Sequence, residues 1–155
     1  AYVAEQASPA EILTKLSELH DFDTDGHFVT VLCARIDLTA NEMIVANAGH
    51  LNPLLRRGTV FSQVEVPVGV PIGIDSAEAY RSIRVALPQS GTLLAFTDGL
   101  VERRDQRIDV ALGRLQESAT RNDGPLGSML DRILLEFGPE GFDDDAAILG
   151  VKWSN

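Results

Sequence analysis

The 155-residue chain is 45% hydrophobic and 23% charged, and because a chain of this size buries roughly 70% of its unfolded surface it needs no disulfide or metal staple to hold a core. Its 23 acidic and 13 basic residues leave a formal net charge of −10, and no Lys/Arg run forms a stripe that could track a phosphate backbone, so nucleic acid is excluded as an expected partner. The single cysteine, Cys33, excludes an internal disulfide framework and a multi-cysteine zinc site and suits a reducing, cytoplasmic setting, while no apolar run reaches the roughly 18 residues that would span a membrane.

The opening AYVAEQAS starts on Ala and lacks the basic and apolar regions of a secretory signal, so the chain reads as an excised piece of a longer protein. Ser8, Pro9, Ala10 and Glu11 then form a capping box with Pro at the first helical position, and Ile12, Leu13, Leu16 and Leu19 recur at helical spacing. This predicts a helix over 9–20. DFDTDG follows as a polar turn. Residues 28–38 are rich in Val, Ile, Leu and Thr without helical period, as in a strand covered on both faces, and they should pair as a hairpin with the apolar run 43–48. A second hairpin is expected from 54–56 and 60–66 around Arg57, Gly58 and Thr59.

GVPIGI (69–74) is too dense in Gly and Pro for regular structure and reads as a shaped loop. Strands are expected at 80–87, where Ile83, Val85 and Leu87 alternate with Arg84 and Ala86, and at 92–97, stopping abruptly at Asp98 and Gly99. Helical stripes follow over about 107–119 and 125–137, the second stopped by Gly138 and Pro139. Ala147, Leu149, Val151 and Trp153 alternate as a closing strand. About seven strands grouped in hairpins, with about three helices, argue for an α+β fold with mainly antiparallel sheets and helices packed outside them. No linker or repeat divides the chain, so residues 1–155 read as a single domain.

Asp98 directly follows one apolar strand and Asp144 directly precedes another. Carboxylates at strand ends are held by rigid scaffold yet reach solvent, where a hard divalent cation finds oxygen ligands. Spacing alone leaves this open, since Thr-Asp-Gly is also an ordinary turn and Asp143, Asp144 and Asp145 also suit a solvated loop. Asp21, Asp23, Asp25 and Gly26 imitate the start of an EF-hand loop, but position twelve is Leu32 rather than Glu and a strand follows, so calcium binding there is disfavoured. His50 ends the run Asn47, Ala48, Gly49 at a turn, a place where a lone His is commonly structural. Cys33 reads as a small core residue. No G-x-S-x-G elbow or Walker loop occurs, which removes the commonest serine-hydrolase and nucleotide-binding readings.

The stretches FVTVLCARID (28–37), NAGHLNPLL (47–55), GVPIGI (69–74), LLAFTDGLVE (93–102) and DDAAILGVKW (144–153) resemble, in order and spacing, the metal-dependent protein phosphatases of type 2C, in the bacterial branch related to the stage II sporulation protein E phosphatase. The resemblance runs from about Ser8 to Trp153. It implies a sandwich of two antiparallel sheets flanked by helices, two Mn²⁺ or Mg²⁺ ions at one edge, and Asp98 and Asp144 as ligands of one ion. Asp145 would take a neighbouring place, and Gly99, Asp143 and His50 are the further positions to be checked around them. The family pattern also includes an earlier strand and helix with a G-D-x-x-G-H-G motif whose Asp bridges both ions. That motif does not occur in these 155 residues, so they correspond to the C-terminal two thirds of the family domain. Eukaryotic relatives carry Gly-Asp where Gly49 and His50 stand, so a third metal does not carry over.

The resemblance therefore implies a cytoplasmic serine/threonine phosphatase acting through a metal-activated water on a phosphorylated anti-anti-sigma factor-like protein, with a regulatory sensor domain in the parent chain. A different class of function stays open: a catalytically silent module that keeps the phosphatase scaffold to dock a signalling partner. An unpaired sheet edge would also allow dimerisation.

Overall fold

The computed structural model describes residues 7–19, 27–74, 78–103, 106–139, 141–142 and 144–154; His20, the DFDTDG segment and Asp143 lie outside them. The element order is α1 (Pro9–Leu19), β1 (Val31–Asp37), β2 (Glu42–Ala48), β3 (Leu54–Arg57), β4 (Val60–Gln63), β5 (Val68–Gly69), β6 (Ile83–Ala86), β7 (Ser90–Phe96), a 3-10 turn (Asp98–Leu100), α2 (Ile108–Arg121), α3 (Leu126–Phe137) and β8 (Ile148–Ser154). These elements fall into two compact units, Ala1–Asn52 with Glu65–Leu87, and Pro53–Val64 with Pro88–Asn155.

In the first unit α1 begins at the expected capping box. The Ser8 N–H and hydroxyl donate to Glu11 Oε2 at 2.7 and 2.8 Å, and the Glu11 N–H donates to Ser8 Oγ at 3.3 Å, so donors that the first turn would leave orphaned are satisfied locally. The helix buries Leu13 against Ala46 and Ala48 of β2 and against Ile72. β1 and β2 pair antiparallel from Asp37↔Glu42 to Val31↔Ala48. Their turn is fixed by Asp37 Oδ1, which accepts the N–H groups of Thr39 and Ala40 at 2.9 Å each.

The second edge of β2 is shared, with β6 antiparallel along Glu42–Val45 and β5 parallel at Asn47 and Ala48. β1 departs from expectation. It is half-buried to exposed rather than covered on both faces, because it is the edge of its sheet among the described residues, and β2 is the strand buried from Met43 to Ala48. GVPIGI contributes Gly69, the last residue of β5, and then Ile72, which exchanges backbone hydrogen bonds with Val29 at 2.8 and 2.9 Å.

The second unit holds an antiparallel sheet of order β4-β3-β7-β8. The β3–β4 hairpin turns through Gly58 at φ 63°, a conformation that costs glycine no Cβ clash. α2 packs on β4 and on α3, and α3 packs on β8. The Phe61 N–H of β4 donates to Thr120 Oγ1 of α2 at 3.1 Å, and a Cβ on Gly150 of β8 would fall 2.8 Å from Leu126 of α3. Trp153 is buried and its indole N–H donates to the Pro88 carbonyl at 2.9 Å, so its polar handle is satisfied. The α+β class with two mainly antiparallel sheets is thus the one expected, the parallel β2–β5 pair being its exception. Among the described residues no helix is long and apolar enough to cross a membrane.

Candidate metal centre

The apolar run of β7 buries Leu94 and Phe96 and ends at Thr97. The chain then tightens into the 3-10 turn, where the Asp98 carbonyl accepts the N–H groups of Val101 and Glu102 at 2.8 and 2.7 Å. Leu100 and Val101, each 1% exposed, anchor the turn, while Asp98 itself is exposed. A rigid turn with a buried far side therefore holds one carboxylate in solvent. Asp98 Oδ1 accepts the Gly99 N–H at 3.0 Å, which leaves Oδ2 for another partner.

The segment leading into β8 reaches the same place. The Thr97 N–H donates to the Ala147 carbonyl at 3.0 Å, the Ala147 N–H donates to Thr97 Oγ1 at 2.9 Å, and Thr97 Oγ1 donates to the Asp145 carbonyl at 3.3 Å. Gly99 lies directly against the Asp145 carbonyl and the Asp144 carbonyl carbon, which occupy the space a Cβ would need. Asp144 is exposed and its Oδ1 accepts the Asp145 N–H at 2.7 Å. Asp98 and Asp144 thus hang from adjoining backbones just beyond the Phe96↔Ile148 rung of the β7–β8 ladder.

Among the described residues neither carboxylate is paired with a Lys or Arg. Exposed carboxylates without a Lys or Arg partner are open to a divalent cation. No group of three or more His, Cys, Asp or Glu side chains able to hold a metal occurs among the described residues. The donor set therefore fits an open, largely hydrated Mg²⁺ or Mn²⁺ site, which takes one or two carboxylates and keeps several waters. It does not fit a closed protein cage.

The structure brings Asp98, Gly99, Asp144 and Asp145 together. His50 belongs to the first unit. There Asn47, 2% exposed, holds the turn: its Oδ1 accepts the His50 N–H at 2.7 Å, and its Nδ2 donates to the His50 carbonyl at 2.8 Å and to Asn52 Oδ1 at 3.1 Å. His50 Nδ1 lies 2.9 Å from the Leu51 carbonyl. A carbonyl only accepts, so Nδ1 carries the proton and Nε2 keeps its lone pair in the neutral ring. Cys33 packs against the core of that unit, and burial pushes its thiol pKa up, away from nucleophilic use. Sequence reasoning missed Thr97 and Asn47. Their signals were an hydroxyl residue immediately before the turn Asp and an Asn immediately before a Gly turn.

The family model described as stage II sporulation protein E (SpoIIE) matches residues 1–154. Among solved structures, the RsbU and RsbW domains of a Mycobacterium tuberculosis protein align with a TM-score of 0.83 at 22% identity, covering 96% of this chain and 42% of that one. The SiaA-PP2C domain of Pseudomonas aeruginosa aligns at 0.77 and 18%, covering 95% and 61%. The phosphatase domain of the cell fate determinant SpoIIE from Bacillus subtilis, also solved after presoaking with Mn, aligns at 0.67 and 14%, covering 100% and 77%. The chain thus spans less than two thirds of the first two structures, and at these identities the likeness establishes the fold. No curated protein sequence matches the chain.

Proposed function

The chain belongs to the stage II sporulation protein E family, and from that membership we propose that it is a metal-dependent serine/threonine protein phosphatase domain of type 2C, with both units forming one domain. The observation that carries this reading is the Thr97 bridge to Asp145 and Ala147, which sets Asp98 beside Asp144. These two residues would hold a Mn²⁺ or Mg²⁺ ion through their exposed carboxylates. When bound, the cations supply Lewis acidity, lowering the pKa of an attacking water and offsetting charge on the phosphoryl oxygens.

The chain's own groups position that chemistry. Thr97 fixes the approach of the two backbones, and Gly99 permits it by offering no side chain to the Asp145 carbonyl. Asp145, next in the chain to Asp144, is also exposed. A burial-raised Cys33 thiol suits a mechanism without a protein nucleophile. The substrate we infer is a phosphoserine on a cytoplasmic regulatory protein of the anti-anti-sigma type, with a sensor domain elsewhere in the parent chain.

Hydrolysis of p-nitrophenyl phosphate and of a phosphoserine peptide with Mn²⁺ tests the reading. Asp98 and Asp144 supply ligands for one ion, so the 155 residues alone should turn over barely above background. The same residues preceded by a family strand bearing G-D-x-x-G-H-G should be active, and Asp98→Asn or Asp144→Asn should abolish that activity. Turnover surviving both substitutions would reject the assignment. Robust turnover by the 155 residues alone would mean that another carboxylate, with Asp143 or Asp145 nearest, bridges the ions. The described donor set of two carboxylates also favours a second reading, a silent docking module. Absence of activity in the longer chain would select it.

A further inference from the structure

Four residues of the second unit, Arg103, Gln106, Arg114 and Glu136, line with Pro139 a cavity of about 350 Å³. Among the described residues its lining carries two guanidinium groups and one carboxylate. The Glu136 carboxylate is already engaged, accepting from the Ser118 hydroxyl at 2.5 Å and from Arg121 Nη2 at 3.1 Å. Arg114 has no carboxylate partner among the described residues; its Nη1 donates to neutral Gln106 Oε1 at 3.1 Å and its guanidinium lies 5.3 Å from the Phe137 ring centroid. Arg103 is half-buried, and among the described residues no side-chain hydrogen bond or ion pair engages its guanidinium. Two guanidinium groups with no carboxylate partner among the described residues thus line one open cavity in a chain whose net charge is −10.

Arg114 is exposed and Arg103 half-buried, so both forks are open to an incoming oxyanion. Arg114 is held in place by Gln106 and Phe137, so little rotamer freedom is lost when its fork closes on an oxyanion. Arg103 follows Asp98 by five residues, so even a fully extended chain keeps their Cα atoms within about 17 Å, a span that a few residues of extended peptide cover.

We propose that Arg103 and Arg114, braced by Gln106 and Phe137, form a carboxylate-binding pocket that grips an acidic segment flanking the phosphoserine of the protein substrate. The identity of that substrate rests on the phosphatase reading above; the capture of carboxylates does not. The −10 charge of the chain repels an acidic peptide elsewhere, so the pocket also sets where such a segment lands. Bidentate guanidinium–carboxylate pairing supplies the contact.

The test is a titration of the chain, stripped of divalent metal on a chelating resin, with a hexaglutamate peptide, followed through the Arg Nε–Hε resonances and by calorimetry, with hexaglutamine and inorganic phosphate as separate arms. Hexaglutamate should shift the Arg103 and Arg114 signals, and its affinity should fall at least tenfold in Arg103→Gln and in Arg114→Gln and weaken with added salt. Both changes are on the surface, and amide spectra confirm the fold. Equal affinity for hexaglutamine, unchanged affinity in both variants, or a response to phosphate without one to hexaglutamate would overturn the proposal. No divalent cation is present, so such a failure leaves the phosphatase reading standing, and loss of Mn²⁺-dependent hydrolysis leaves this titration unaffected.

Discussion

Thr97 and Ala147 are joined twice, by the Thr97 N–H to the Ala147 carbonyl at 3.0 Å and by the Ala147 N–H to the Thr97 hydroxyl oxygen at 2.9 Å. The second bond uses a side chain where the ladder between β7 and β8 has just ended at Phe96↔Ile148. It extends the register by one residue and so carries Asp144 to the turn that bears Asp98.

Thr97→Val keeps the branched shape and removes the hydroxyl. Water can reach the freed Ala147 N–H and Asp145 carbonyl, so the stability loss should be about 1 kcal/mol, read from urea unfolding. Cation affinity should fall further than stability does, because the 144–147 segment loses its tether. Thr97→Ser should recover most of both.

Gly99→Ala places a methyl group on the Asp145 carbonyl and the peptide before it. Backbone on both sides leaves little room to yield, and overpacking of this kind costs about 1–3 kcal/mol. The expected result is a lower unfolding midpoint together with loss of cation binding. A fully stable Gly99→Ala protein with normal cation affinity would show that the two backbones do not need this contact.

The start of α1 gives a pH signature. The Ser8 backbone N–H first, and its hydroxyl second, hold the Glu11 carboxyl below its ordinary pKa. A carboxylate depressed in the folded state contributes stability that is present above its unfolded pKa and is lost as pH falls through the folded one. Acid unfolding of the wild type should therefore steepen below the ordinary carboxylate range, and Glu11→Gln should flatten that limb. An identical acid profile in the variant would remove the capping box from the stability of α1.

Local signals were legible in the sequence and pairing signals only partly so. The capping box at Ser8 and Glu11 involves neighbours, so its residues alone predict α1. The helical stripes of α2 and α3 read clearly because their periods run over several turns. The exposure of β1 was not legible: an apolar run such as VLCARID suits a covered strand, and only the pairing reveals it at an edge. The two-residue parallel pair of β5 with β2 is too short for any period. Asp98 and Asp144 were singled out as strand-end carboxylates, but their adjacency depends on the register of β7 against β8 and on the Thr97 bridge. The Arg103–Arg114 pocket depends on Phe137 of α3 meeting α2, which no local pattern encodes.

The central claim is that Asp98 and Asp144 hold one divalent cation between them. Substoichiometric Mn²⁺ added to the isotope-labelled chain tests it most directly, since the paramagnetic ion broadens the amide signals nearest to it. The account predicts that Gly99 and Asp145 broaden first, and that either Asp98→Asn or Asp144→Asn removes the effect at both. Broadening centred on other residues, or persisting unchanged in both variants, would contradict it.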